Sequence, residues 1–191
     1  MIKLSGLIKH ISPQGVRRMI KGILFATAVL TMIGGTAHAQ NVSVVGQLGF
    51  GNGQSTTQFG SNFSATGQAG LSNRSGTIQA GLGNASLTGQ LGVSNFSATG
   101  QAGALNRSAT GQIGLGNAAA TGQIGFGNSA RTGQIGAFNS ATTGQVGVGN
   151  SSSTGQLGIG NSSSTTQGGF GNRSSTSQVG GGNSSSTSQF N

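Results

Sequence analysis

Fourteen times between Asn41 and Gln189 the chain sets Asn six residues before Gln, in units built on the pattern Asn-x-Ser/Ala-x-Thr-x-Gln-x-Gly-x-Gly, of which residues 150–160 give a clean copy, NSSSTGQLGIG. A fixed short period leaves few folds open, because each unit can complete itself only against its neighbours. Position 1 of the unit holds Asn41, Asn52, Asn62, Asn73, Asn84, Asn95, Asn106, Asn117, Asn128, Asn139, Asn150, Asn161, Asn172 and Asn183. Position 7 holds Gln47, Gln58, Gln68, Gln79, Gln90, Gln101, Gln112, Gln123, Gln134, Gln145, Gln156, Gln167, Gln178 and Gln189. Every interval is eleven residues except that from Asn52 to Asn62, where one residue is missing within the segment Phe59 to Ser61. Successive side chains of a strand point to opposite faces, so a deletion inside a strand sends the residues beyond it to the wrong side. The spacing from Asn to Gln never changes. The unit is therefore expected to be a seven-residue strand followed by a four-residue turn.

Two such units close a 22-residue rung, and fourteen units make an all-β, two-sided β-solenoid of about seven rungs. At about 4.8 Å per rung the stack is on the order of 34 Å long. Within each strand Asn, Ser/Ala, Thr and Gln share one face. Arg74, Arg107 and Arg173 stand at position 2 and Arg131 at position 4, all on the other face. A buried guanidinium without a carboxylate partner is very unfavourable, so the arginine face is expected outside and the Asn/Ser/Thr/Gln face inside. Inward Asn and Gln, each stacked on its own kind, can hydrogen-bond along the axis as continuous amide ladders. The outward arginines are gatekeepers, lone charges beside aggregation-prone strands.

Position 9 is glycine after every Gln but the last: Gly49, Gly60, Gly70, Gly81, Gly92, Gly103, Gly114, Gly125, Gly136, Gly147, Gly158, Gly169 and Gly180. Repeated glycine in a turn implies backbone angles that other residues resist, or a close backbone approach. The flanking positions 8 and 10 are commonly apolar, as at Ile113 and Leu115 or Ile124 and Phe126. They form columns along the two edges of the coil, open either to a core role or to lateral contact.

Residues 1–39 have another composition. Lys3, Lys9, Arg17, Arg18 and Lys21 precede the apolar run from Ile23 to Ile33, and Ala37-His38-Ala39 follows. Basic region, short apolar run and small-x-small site are the parts of a secretory signal peptide, with cleavage expected after Ala39. The apolar run is shorter than the roughly 20 residues of a membrane-spanning helix, although a retained anchor helix is the alternative. Residues 40–191 then form the repeat domain. Five of the nine basic residues leave with the signal, so four remain and the formal charge of +9 is mostly targeting. Nucleic-acid binding as a primary role is not supported.

Between Gln40 and Asn191 there is no Asp, Glu, His, Cys, Lys, Tyr, Trp, Met or Pro. General acid–base catalysis needs a group titrating near working pH, and a Ser or Thr nucleophile needs a base to activate it. Zinc and calcium sites need thiolate, imidazole or carboxylate ligands. No enzyme activity, cofactor, metal or small-molecule substrate is expected. With no cysteine there is no disulfide framework, and stability must come from the repeat itself.

The stretch from Gln112 to Gln123, QIGLGNAAATGQ, resembles the repeat of curlins, the subunits of curli amyloid fibres. The resemblance covers essentially all of residues 40–191. It implies a secreted subunit that polymerises into cross-β fibres on the surface of a Gram-negative bacterium, in the biofilm matrix, serving adhesion and attachment. It also implies outer-membrane export and nucleation proteins as partners, stacking by the Gln and Asn of each unit, and turn glycines that let the coil close. Curlin units are commonly written with two unlike strands, whereas both halves here follow one formula. The inward Ser/Thr pair is smaller than the aliphatic pairs of many curlin strands, so a closer approach of the two sheets is expected. The repeat starts one residue after the expected cleavage site, without a separate Gly-rich leader.

Both terminal units of the repeat keep its pattern, and no capping sequence is visible in either. The last rung of one molecule is therefore expected to template the first rung of the next, giving an open head-to-tail homopolymer. Four charges over about 34 Å stand about 8 Å apart in such a filament, close to the Debye length of roughly 8–10 Å, which makes extracellular polyanions expected secondary partners. Two other functions compete: a monomeric Thr-rich solenoid that binds ice or surfaces, and a disordered Gly/Ser-rich coat protein.

Overall fold

The structure, a computed structural model, describes residues 40–191; the expected signal peptide and its cleavage point after Ala39 lie outside the described residues. Twelve strands follow one another: β1 (Val42–Phe50), β2 (Gly53–Leu71), β3 (Arg74–Val93), β4 (Phe96–Ala104), β5 (Arg107–Leu115), β6 (Ala118–Phe126), β7 (Ser129–Ala137), β8 (Ser140–Val148), β9 (Ser151–Ile159), β10 (Ser162–Phe170), β11 (Arg173–Gly181) and β12 (Ser184–Phe190). All pair in parallel with the equivalent unit one rung away, so that Phe96 stands opposite Ala118 and Gln101 opposite Gln123. Strands β2 and β3 each span two units. One side of the coil is built from β1, the second halves of β2 and β3, then β5, β7, β9 and β11. The other side takes the first halves of β2 and β3, then β4, β6, β8, β10 and β12. The expected two-sided β-solenoid of about seven 22-residue rungs is the observed fold.

The strands are longer than the sequence spacing suggests. A typical one covers nine residues, positions 2 to 10, instead of seven. The expected turn residues 8 to 10 also pair with their counterparts one rung away, as Ile113 does with Ile135 and Gly114 with Gly136. A turn stacked on an identical turn finds partners for its backbone groups just as a strand does, so little is left unpaired. Even the corner residues bond between rungs, with Ser94 N–H donating to Leu71 C=O at 2.9 Å and Arg74 N–H to Asn95 C=O at 2.8 Å.

The missing residue of the second unit falls where expected, at a corner. Strand β2 runs unbroken for 19 residues through Phe59 to Ser61. Its register against β3 shifts between Ser61, opposite Leu82, and Phe63, opposite Ala85. The facing corner carries one more residue, Gly83, and the inward alternation resumes on both sides of the shift.

Burial inverts the usual distribution. Among the described residues the buried apolar side chains are only Ala65, Ala119, Ala130 and Ala141, and the remaining buried residues are Asn, Ser, Thr and Gln from the inward positions. Ala65 is the one of the four on the outward face, in a column between the larger Val44 and Leu87. The apolar columns beside the corner glycines face solvent, with Ile124 57% and Val179 71% exposed. They add nothing to the interior, which leaves the backbone ladder and the amide columns to hold the coil.

Candidate assembly site

The Gln columns are continuous. Each Gln Nε2 donates to Oε1 of the Gln one rung later, in six bonds on one side from Gln47 to Gln178 and six on the other from Gln58 to Gln189, all at 2.7–2.8 Å. In most units the other Nε2 proton reaches a backbone carbonyl of the opposite side, as from Gln79 to Phe63 at 3.0 Å and from Gln134 to Ala118 at 2.9 Å. The column thus ties rung to rung and sheet to sheet. A carbonyl can only accept, so these contacts also fix which end of each amide is nitrogen.

The Asn columns occupy the corners. Asn73 Oδ1 accepts both the backbone N–H of Asn95, at 3.1 Å, and its Nδ2, at 3.0 Å. Asn73 Nδ2 donates in turn to Ala69 C=O in its own corner and to Gly92 C=O in the corner of the next rung, at 3.2 and 2.9 Å. Asn was expected to stack; that it also satisfies corner carbonyls is new, because spacing alone does not reveal where those carbonyls point. The backbone N–H to Oδ1 bond recurs along both columns from Asn41 to Asn172 and from Asn52 to Asn183.

The two ladders run in opposite directions. Each Gln donates to the Gln one rung nearer the C-terminal end of the solenoid, whereas each Asn donates to the Asn one rung nearer the N-terminal end. At the C-terminal end Gln178 and Gln189 each give one Nε2 proton to a backbone carbonyl, of Ser162 and Arg173, and the second proton points onward. At the N-terminal end Gln47 and Gln58 present Oε1, and among the described residues β1 and the first half of β2 are paired on one side only. The same holds for β11 and β12 at the far end. Asn191, standing where a fourteenth corner glycine would, bonds Phe170 N–H and C=O.

Between the amide columns lie hydroxyls. Ser64, Thr66, Ser108, Thr110, Ser152 and Thr154 are among those whose buried oxygens make no hydrogen bond within the protein. They fill space without adding a directional bond. The expected role of the position 9 glycines acquires a mechanism: their φ runs from +96° at Gly60 to +133° at Gly158. A Cβ on Gly114 would lie 1.9 Å from the carbonyl oxygen of Gly136 in the next rung. Position 11, which sequence reasoning passed over, is left-handed as well, at φ +55° to +68°, and is occupied by Ser72, Ser94, Leu105 and Phe138 as well as by glycine. The mixture of residue types hid it.

Arg74, Arg107, Arg131 and Arg173 are exposed, as expected. Three of the four lie on the side built from β5, β7 and β11, and Arg74 lies on the other. The amide ladders and corner glycines thus belong to one interior system, from which the arginines stand apart. No family model and no curated protein gave a significant match to the chain.

Proposed function

We propose that the protein is a secreted structural subunit that assembles head to tail into extracellular curli-like amyloid fibres, serving biofilm matrix, adhesion and surface attachment. The observation that carries this reading is the polarity of the amide ladders at the first and last rungs of the described residues. When the C-terminal rung of one copy meets the N-terminal rung of the next, the free Nε2 protons of Gln178 and Gln189 face the Oε1 atoms of Gln47 and Gln58. The Oδ1 atoms of Asn172 and Asn183 meet the backbone N–H groups of Asn41 and Asn52 in the same joint. Head-to-head contact of like columns would oppose Gln Oε1 to Gln Oε1 and Asn N–H to Asn N–H, and tail-to-tail contact would oppose Gln Nε2 to Gln Nε2 and Asn Oδ1 to Asn Oδ1, so both columns continue only head to tail. An unclosed heterologous contact of this kind generates a filament.

The role is structural and not catalytic, and outer-membrane export and nucleation proteins would be its partners by the same resemblance. Polyanions would bind the outward arginines secondarily. A Thr-presenting monomer gains no support from the geometry, because the Thr column is buried, with Thr77 at 2% and Thr143 at 1%.

The test is electron microscopy and fibre diffraction of purified residues 40–191, with microscopy of the producing cells. Filaments with a meridional spacing near 4.7–4.8 Å are expected. Protein that stays monomeric for days at tens of micromolar, with no cross-β reflection, would falsify the reading.

A further inference from the structure

Position 6 of the unit, on the outward face between the Thr and Gln positions, carries a glycine that the fold does not require. At Gly89, Gly111, Gly133 and Gly155 an added Cβ meets nothing within 4 Å, and none has a positive φ. The same position elsewhere holds Thr57, Ile78, Thr166, Ser177 and Ser188 without distortion. Glycine in a strand interior weakens the strand and commonly marks a place where another chain comes close. Gly46, Gly67, Gly89, Gly111, Gly133 and Gly155 lie one above another on the β5/β7/β9 side, an uninterrupted furrow.

Immediately beside the furrow runs position 8 of the same strands, where every rung carries Leu, Ile or Val except that of Ala69, among them Leu48, Leu91, Ile113, Ile135 and Leu157. Ile113, Ile135 and Leu157 are each close to half exposed, at 47–49%. A ridge and an adjacent furrow with one common period form a self-complementary surface. The occupant must present one apolar side chain per rung over many rungs, and a second copy of this chain has that rise by construction, whereas a globular partner or a lipid surface does not.

We infer that two copies, or two filaments of copies, pair side by side through this face, the aliphatic ridge of each seated in the glycine furrow of the other. The inference rests on the assembly reading for its strength, since a filament multiplies the number of matched rungs. Arg107, Arg131 and Arg173 share this side and no acidic residue exists to offset them, so pairing is expected to strengthen as salt rises.

The experiment compares wild-type residues 40–191 with a furrow variant, Gly89→Thr, Gly111→Thr, Gly133→Thr and Gly155→Thr together, and a ridge variant, Ile113→Ser, Ile135→Ser and Leu157→Ser together. Filament width is read by electron microscopy and mass per length by scattering. Wild-type filaments should be paired, and both variants should give single filaments of about half the mass per length with the same cross-β repeat. Wild-type filaments that are single, or variant filaments paired like the wild type, overturn the inference and leave head-to-tail assembly standing. Absence of any wild-type filament overturns the assembly reading and this inference with it. Should the furrow variant form no filament, the outward ridge variant decides.

Discussion

At the scale of the residue, three kinds of glycine coexist in one unit, and they respond differently to a methyl group. Gly114 carries φ +127° and faces the Gly136 carbonyl at 1.9 Å from its virtual Cβ, and that carbonyl belongs to paired backbone that cannot retreat. Gly114→Ala is expected to destabilise by more than about 4 kcal/mol. Gly149 has φ +68° and no neighbour within 4 Å of a Cβ, so Gly149→Ala should lose only about 1–2 kcal/mol, the left-handed penalty. Gly155, in ordinary strand geometry with the same open space, should gain about 0.5 kcal/mol on conversion to Ala. Denaturant unfolding of the soluble form ranks the three. The interior gives a parallel contrast. Gln134→Ala removes bonds to Gln112, Gln156 and Ala118 and strands buried partners, at a loss of roughly 2–4 kcal/mol. Thr110→Val removes a hydroxyl that bonds nothing within the protein, and stability should hold or rise by about 1 kcal/mol. Nature has made a related change already, with Ala119, Ala130 and Ala141 at inward positions where other units carry Ser. A Thr110→Val protein less stable than wild type by as much as Gln134→Ala would show that the hydroxyls are bonded after all.

At the scale of the element, phase matters more than composition. The register shift at Ser61 and Phe63 is a natural one-residue deletion, absorbed at a corner while Asn62, Ser64, Thr66 and Gln68 all remain buried. Deleting Gly149 from a corner should therefore leave the β-sheet circular dichroism signal and the unfolding midpoint close to those of the parent. Deleting Thr142 from the middle of β8 shifts the residues on one side of it by one place, turning Thr143 and Gln145 outward or Asn139 and Ala141 outward. Its rung should lose either the Gln123–Gln145 and Gln145–Gln167 bonds or the Asn117–Asn139 and Asn139–Asn161 bonds, and unfolding should become non-cooperative. The corner position was legible in the sequence because the Asn-to-Gln spacing is invariant. The strand length was not, because residues 8 to 10 of a unit become strand only when an identical corner lies above or below them.

At the scale of the whole molecule, the absence of titrating side chains has a direct thermodynamic consequence. Stability changes with pH in proportion to the difference in protons bound by the folded and unfolded chains. Residues 40–191 contain no Asp, Glu, His, Lys, Cys or Tyr side chain to supply such a difference between about pH 5 and 10, which leaves only the α-amino group of the exposed Gln40. The unfolding midpoint of residues 40–191 is expected to stay flat across that range, measured at constant salt. A midpoint that moves steeply with pH would reveal a coupling absent from the interior described above. In the proposed assembly, salt should act instead on contacts between copies, through the four exposed arginines.

The sequence by itself determined the rung number, the two-sided coil, the inward face and the site of the deletion. Each of these is one-dimensional information: side chains alternate along a strand with period two, and an unpaired arginine will not be buried. Only the tertiary structure decided that the corners are paired strand, that position 9 must be glycine, that the apolar columns face outward and that the two amide ladders run in opposite directions. Those features depend on atoms one rung away, some 22 residues distant in sequence: the Gly136 carbonyl that meets Gly114, and the Asn73 Oδ1 that receives Asn95. Spacing tells which residues stack; it does not tell which way their carbonyls and amide protons point.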